Sequence, residues 1–208
     1  MPSIIEQKTF MHFQPQIDKQ DIMELPLVGF GGEVMVISSH SEAKKAVRQM
    51  QQEKLLGFDT ESRPSFKKGQ NHPVALIQLA SPERAWLFRI ALLGKTPELN
   101  EILGDNEILK VGLALKEDLR SLSHFCTPNP DSFLDLQEFA PHFGIQEGSL
   151  KKLAAIVLRS RISKSQQLSN WENPELSEAQ VRYAATDAWV ALRIYQTLMG
   201  ELYDDLRD

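Results

Sequence analysis

The chain has one cysteine, Cys126, no long apolar run and no surplus of positive charge. A lone thiol excludes an internal disulfide and any zinc or iron–sulfur centre built from several cysteines, and it suits a reducing compartment. No stretch approaches the roughly twenty apolar residues of a membrane-crossing helix. The opening MPSIIEQKTFMHF lacks the basic-then-apolar pattern of a secretory leader, so a soluble, cytoplasmic protein is expected. A net charge of −5 gives phosphate backbones no global attraction, and any contact with them has to be local. Internal repeats and low-complexity segments are also missing.

What is present suffices for one globular domain, since 208 residues with 42% hydrophobic and 25% charged can bury a large core. Residues 1–32 show little periodicity, contain Pro15 and Pro26, and end in Gly29-Phe30-Gly31-Gly32. They read as an irregular N-terminal arm ahead of a domain over 33–208. EVMVIS at 33–38 reads as a strand, and Ser39 with Glu42 has capping-box spacing for a helix through about Gln52. LLGFDTE, VALIQLA at 74–80 and AWLFRI at 85–90 follow as three strands of an antiparallel meander. The pattern then alternates: a helix near 97–103, a strand ILKVGLA, a helix from about Lys116 to Ser123, the segment SFLDLQEFA and a helix SLKKLAAIVL. The last helix starts at Ser177, with Gln180 as its capping partner, and runs to about Met199. This order predicts an α/β fold, a mixed sheet flanked by helices.

Acidic residues in three separated segments carry the chemistry. Asp59 and Glu61 lie two apart on a strand and share one face, while Thr60 points to the opposite layer. Leu55, Leu56 and Phe58 mark that strand as buried, where paired carboxylates are costly unless cations neutralise them. Asp118 falls in the first turn of a helix, a position that favours any acid, and its neighbour Glu117 is a rival. Tyr183 and Asp187, four residues apart, share a helix face, and Ala184, Ala185, Ala188 and Ala191 allow that helix to approach the sheet closely. Oxygen-only ligands suit Mg2+ or Mn2+, and two such ions about 3.5–4 Å apart can clamp the attacking and leaving oxygens of a phosphodiester.

The order of these segments and the Y-x-x-x-D spacing resemble the tyrosine branch of the DEDD 3′→5′ exonucleases, the superfamily of ribonuclease D and the polymerase proofreading domains. Within it the chain is similar to the Werner-type exonuclease domains, over roughly residues 30–200. VALIQL and the K-x6-W spacing from Lys164 to Trp171 belong to the match. In the histidine branch the histidine stands five residues before the aspartate, where this chain has Arg182. The resemblance implies a ribonuclease-H-like fold and a hydrolase trimming nucleic-acid 3′ ends, with DNA favoured over RNA and two divalent cations as cofactors. It implies Asp59, Glu61, Asp118 and Asp187 as metal ligands, with Asp118 preferred to Glu117. Asp59 would bridge both ions, Glu61 and Asp187 would sit beside the attacking water, and Asp118 would lie toward the leaving group. Tyr183 would be the fifth catalytic residue, orienting that water.

Thr60, Arg63, Phe66 and Lys164 are the expected substrate contacts, with Arg63 and Phe66 on the loop leaving the Asp59 strand and Lys164 on the approach to the last helix. An RNA-processing exonuclease and an inactive nucleic-acid-binding scaffold are the rival readings, and the presence of all four carboxylates and the tyrosine counts against the scaffold. No counterpart of the helical nucleic-acid-binding domains of ribonuclease D is expected. Gly94-Lys95-Thr96 imitates a Walker loop but has Arg89 where the early glycine belongs and Pro97 after it. By the resemblance Asp135 is structural, and Trp171 reads as a packing anchor. His124 and Cys126 are too few for zinc.

Overall fold

The computed structural model of the chain describes residues 13–65 and 72–205. Its centre is β3 (Val74–Ala80), whose seven residues are all buried, as expected of a VALIQLA run covered on both faces. On one side lies β4 (Arg84–Phe88) and beyond it β1 (Glu33–Ile37); on the other lie β2 (Leu55–Ser62), β5 (Leu109–Gly112) and β6 (Phe133–Asp135). β2, β3 and β4 form the antiparallel meander, while β1 joins β4, β5 joins β2 and β6 joins β5 in parallel. Among the described residues no helix is long and apolar enough to cross a membrane.

Strand period two sorts β2 onto two faces. Phe58 faces a core shared with Ile77, Leu79 and Trp86, covered by α2 (His40–Met50), α4 (Asn100–Leu103) and α5 (Leu115–Leu122). Gly57 faces α8 (Glu178–Asp205), and a Cβ there would lie 1.9 Å from the Ala188 carbonyl oxygen, so only glycine lets the helix settle onto the strand. Asp59 and Glu61, two and four residues further on, share that face. The far end of α8 joins α7 (Leu150–Val157) and α6 (Leu136–Phe139) in a second core around Leu136, Leu153, Ile156, Val190 and Ile194.

Both capping boxes form. Ser39 Oγ accepts the Glu42 N–H at 3.3 Å while Glu42 accepts the Ser39 N–H, and Ser177 with Gln180 repeats the exchange at the start of α8. Four details differ from the sequence reading. The arm contains α1 (Lys19–Glu24), whose Ile22 is buried with Ile17 in the second core, so two apolar anchors outweigh the missing periodicity. AWLFRI stops being a strand at Phe88, and Ile90–Leu93 forms α3. The helix near 97–103 begins as a 3₁₀ turn at Pro97–Leu99. SFLDLQEFA divides into β6 and α6 because the Asp135 side chain accepts the Gln137 N–H and starts a helix.

Candidate active site

The close approach of α8 to β2 gathers one carboxylate oxygen each from Asp59, Glu61 and Asp187 within 4.8 Å of one another. Asp118 stands outside this trio, and its Oδ1 accepts the Thr60 hydroxyl at 2.8 Å. It is near enough for its charge to raise both Asp59 and Glu61. Glu117, the rival at this turn, is exposed.

Such crowding has an electrostatic signature. Burial, then Asp187 and Asp118, hold Asp59 well above the usual carboxylate range, against an opposing hydrogen bond from the Thr60 backbone. Burial, then Asp59, Asp187 and Asp118, push Glu61 up to about 9. Asp187 rises to about 7 through burial, although the Tyr183 hydrogen bond and the Lys164 charge both oppose it. Asp118 rises to about 6, again chiefly through burial, with the Thr60 bond opposing and Asp135 and Glu117 adding to the rise. Tyr183 is pushed far up by burial and by Asp187 and Glu61, so its phenol stays protonated. Asp187 Oδ1 is buried and bonds no protein donor among the described residues. Three crowded carboxyl groups, Asp187 buried and Asp59 and Glu61 half-buried, with an unclaimed oxygen among them, are costly when ionised alone and fit a hard cation.

A cleft of about 300 Å³ opens on the trio. Thr60 and Lys164 line it, and so do Lys151, Ser163 and Gln167, which the sequence reading passed over. Gln167 belongs to the Lys164–Trp171 stretch that the sequence had marked and Ser163 stands just before it, but Lys151 sits on a helix with no distinguishing spacing. Arg63 does not line the cleft, and its guanidinium lies 3.5 Å from Glu172 at the surface. Phe66 lies outside the described residues, as do Lys67 and Lys68.

Three residues away from the cleft fix its walls. The Asp135 carboxylate accepts the Ala114 and Leu115 N–H groups at 2.9 and 2.8 Å and so holds Ala114 at φ 59, the turn that launches α5 and Asp118. Trp171 is fully buried with its ring 6.0 Å from that of Tyr183, the packing anchor expected of it. Arg89, also buried, donates to the Asn173 and Pro174 carbonyls and ties down the loop between Trp171 and α8.

A family described as 3′-5′ exonuclease matches residues 34–203. The chain belongs to the 3′-5′ exonuclease family. That places it among the hydrolases that act on phosphodiester bonds. Exonuclease 3′-5′ domain-containing protein 2 of Drosophila melanogaster is 39% identical over 153 residues, covering 72% of this chain and 26% of the relative. The mouse bifunctional 3′-5′ exonuclease/ATP-dependent helicase WRN is 35% identical over 156 residues, covering 72% and 11% respectively. This exonuclease-family chain thus spans a minor part of those relatives. The crystal structure of Escherichia coli RNase D, described as an exoribonuclease involved in structured RNA processing, superposes with a TM-score of 0.72 at 25% identity, covering 83% of this chain and 46% of that one. The EXO domain of Aedes aegypti Nibbler gives 0.76 at 23% identity, covering 85% and 93%, and shares the fold. The mixed sheet flanked by helices is therefore the ribonuclease-H-like fold expected from the sequence.

Proposed function

We propose that the chain is a 3′→5′ exonuclease that removes single nucleotides from nucleic-acid ends with two divalent cations, Mg2+ or Mn2+, and that DNA is its preferred strand. The observation that carries the reading is the trio of Asp59, Glu61 and Asp187 oxygens within 4.8 Å, beside the Tyr183 phenol. Asp59, Glu61 and Asp187 would hold one cation and Asp59 with Asp118 the other. When bound, such ions lower the pKa of water and offset charge building on the phosphate oxygens.

The chain's own groups divide the remaining work. Asp187 accepts the Tyr183 hydroxyl, one turn away on α8, which fixes the phenol at the edge of the trio. In the metal-free chain that phenol keeps its proton, and as a donor it would orient the attacking water by hydrogen bonding. Lys164, lining the cleft and close enough to lower Asp187, is placed to meet a phosphate oxygen. Thr60 is committed to Asp118, so its contribution is to hold that carboxylate against β2.

The DNA preference follows the resemblance to Werner-type exonuclease domains, with which the 35% identity to the mouse exonuclease and helicase WRN is consistent. A second reading, RNA trimming by the same groups, rests on the likeness to Escherichia coli RNase D. A denaturing-gel time course on matched end-labelled DNA and RNA strands, with Mg2+, Mn2+ or chelator, tests both. A ladder shortening from the 3′ end in metal alone is expected, faster on DNA. RNA digested at least as fast as DNA would overturn the preference, and no metal-dependent shortening of either would overturn the function.

A further inference from the structure

We propose that a groove leading from the cleft along the start of α8 carries the 5′ portion of the strand being trimmed, with Arg182 as its phosphate contact. The inference rests on the exonuclease reading above and extends it to a strand-binding track. A cleft of about 300 Å³ is at the small end of ligand sites and has room for little more than one nucleotide. The strand behind that nucleotide needs a way out. One is open: a hollow of about 440 Å³ shares Ser163, Tyr183 and Asp187 with the cleft, and a further hollow of about 520 Å³ shares Phe30, Gly31 and Arg182 with the first. The three adjoin one another at these shared residues, along α8 and residues 27–34.

The lining suits single-stranded nucleic acid. Arg182 is exposed, borders both hollows and pairs with no acidic side chain among the described residues. Glu178, one turn earlier, borders the outer hollow without bonding it. Arg63, the cation expected from the sequence to meet phosphate, is instead within 3.5 Å of Glu172. Leu27, Val34 and Leu176 supply apolar walls for base and ribose faces, the combination of cation and apolar platform that grips a strand without reading it. The glycines add independent support. A Cβ at Gly31 would meet nothing within 4 Å, one at Gly29 would make only an ordinary contact of 3.5 Å with Thr186 Oγ1, and neither has a positive φ. The chain's own packing and backbone require glycine at neither position. What the missing side chains do preserve is the open groove.

The test compares hydrolysis of a dinucleotide without a 5′ phosphate, whose one phosphodiester is the bond cut and which offers Arg182 no phosphate, with that of a single strand of roughly ten nucleotides, within the span such grooves cover. Arg182→Ala is expected to raise KM for the long strand about fivefold, the size of one exposed charge contact, with kcat unchanged and dinucleotide hydrolysis unaffected. Arg182→Lys should recover most of the loss. Gly31→Leu, whose Cβ meets nothing within 4 Å and whose longer side chain would narrow the groove, should act in the same direction, and Glu178→Gln should lower KM for the long strand. Binding of the labelled strand in Ca2+, followed by anisotropy across salt, should show a log–log slope shallower by about 0.7 in Arg182→Ala, the counterion equivalent of one phosphate on a single strand. Melting temperatures of the variants should match wild type. Equal KM and equal salt slope in Arg182→Ala and Gly31→Leu would overturn the groove, and so would an equal loss on dinucleotide and long strand. If wild type hydrolyses neither substrate, the exonuclease reading falls, and the anisotropy slopes still decide whether the groove binds a strand.

Discussion

Thr60 and Asp118, 58 residues apart, are joined by a hydrogen bond of 2.8 Å that couples the first acidic segment to the second. The bond stabilises the ionised carboxylate, opposing the burial that lifts Asp118 to about 6. Thr60→Val removes the donor with little change in shape, so Asp118 should retain its proton to higher pH. The acid limb of the pH–rate profile is expected to move upward, and activity near neutrality to fall while activity in mild alkali is kept. An unshifted profile would separate Asp118 from the groups that set the rate.

Asp59→Ala and Asp187→Asn should each abolish hydrolysis without unfolding the protein. Each removes one member of a crowded trio, so metal-free melting temperature should hold or rise while metal-dependent activity disappears. Gel assays and melting curves on the same preparations check both halves. Turnover near the wild-type level in either variant at saturating Mn2+ would remove the residue from the site.

How much of this was legible depends on the range of the interaction concerned. β2, β3, α2 and α8 follow from alternation, burial and capping residues that lie within a few positions of one another, and the Ser39–Glu42 and Ser177–Gln180 boxes form as their spacing requires. Asp59 with Glu61 and Tyr183 with Asp187 were readable as pairs for the same reason. That α8 comes down on β2 was suggested by its alanines, but the contact depends on Gly57, which looks like any other glycine in the sequence. Arg63 was expected at the substrate because it follows the catalytic strand, yet its position beside Glu172 is set by a partner 109 residues away. Lys151 reaches the cleft from α7 through the packing of a whole helix, which no local pattern encodes.

Gly57→Ala tests whether the helix–strand approach governs the site. With its Cβ 1.9 Å from the Ala188 carbonyl oxygen, a backbone atom, the helix has to move. Overpacking of this kind costs about 1–3 kcal/mol, and it also displaces Asp187 from Asp59. A lowered melting temperature together with weaker Mn2+ binding by calorimetry is expected. Wild-type values for both would show that the helix does not rest on this strand as described.

The metal-free fold should lose stability as pH rises. Asp118, Asp187 and Glu61 stand at about 6, 7 and 9 in the folded chain, each above its ordinary carboxylate value. A raised pKa means the folded state holds protons that the unfolded chain has already released. Its stabilising contribution is complete below about pH 4, where both states are protonated, and is lost as pH climbs through 6, 7 and 9. A divalent cation binds the ionised forms and should restore stability most at the alkaline end, by about 2.7 kcal/mol at a hundredfold excess over Kd. Melting curves from mild acid to mild alkali, with chelator and with Mn2+, should therefore diverge as pH increases. Parallel curves, or an equal metal response in Asp59→Ala, would contradict a carboxylate metal site.

Tyr183→Phe isolates the phenolic oxygen, because the ring that packs 6.0 Å from Trp171 is retained. Burial and the neighbouring Asp187 and Glu61 keep the hydroxyl protonated, so its loss takes away a hydrogen-bond donor. It takes away no metal ligand. The rate should fall by about 10²-fold, the lower end for a group that positions a proton-transferring water, while Mn2+ affinity changes little. Asp187 also loses the bond that opposes its rise to about 7, so the acid limb of the variant's profile should shift to higher pH. Measuring kcat, metal affinity and the pH profile on one preparation separates the roles. A rate equal to wild type would leave Tyr183 with packing alone, and a loss of metal binding in step with the rate would make it part of the metal site.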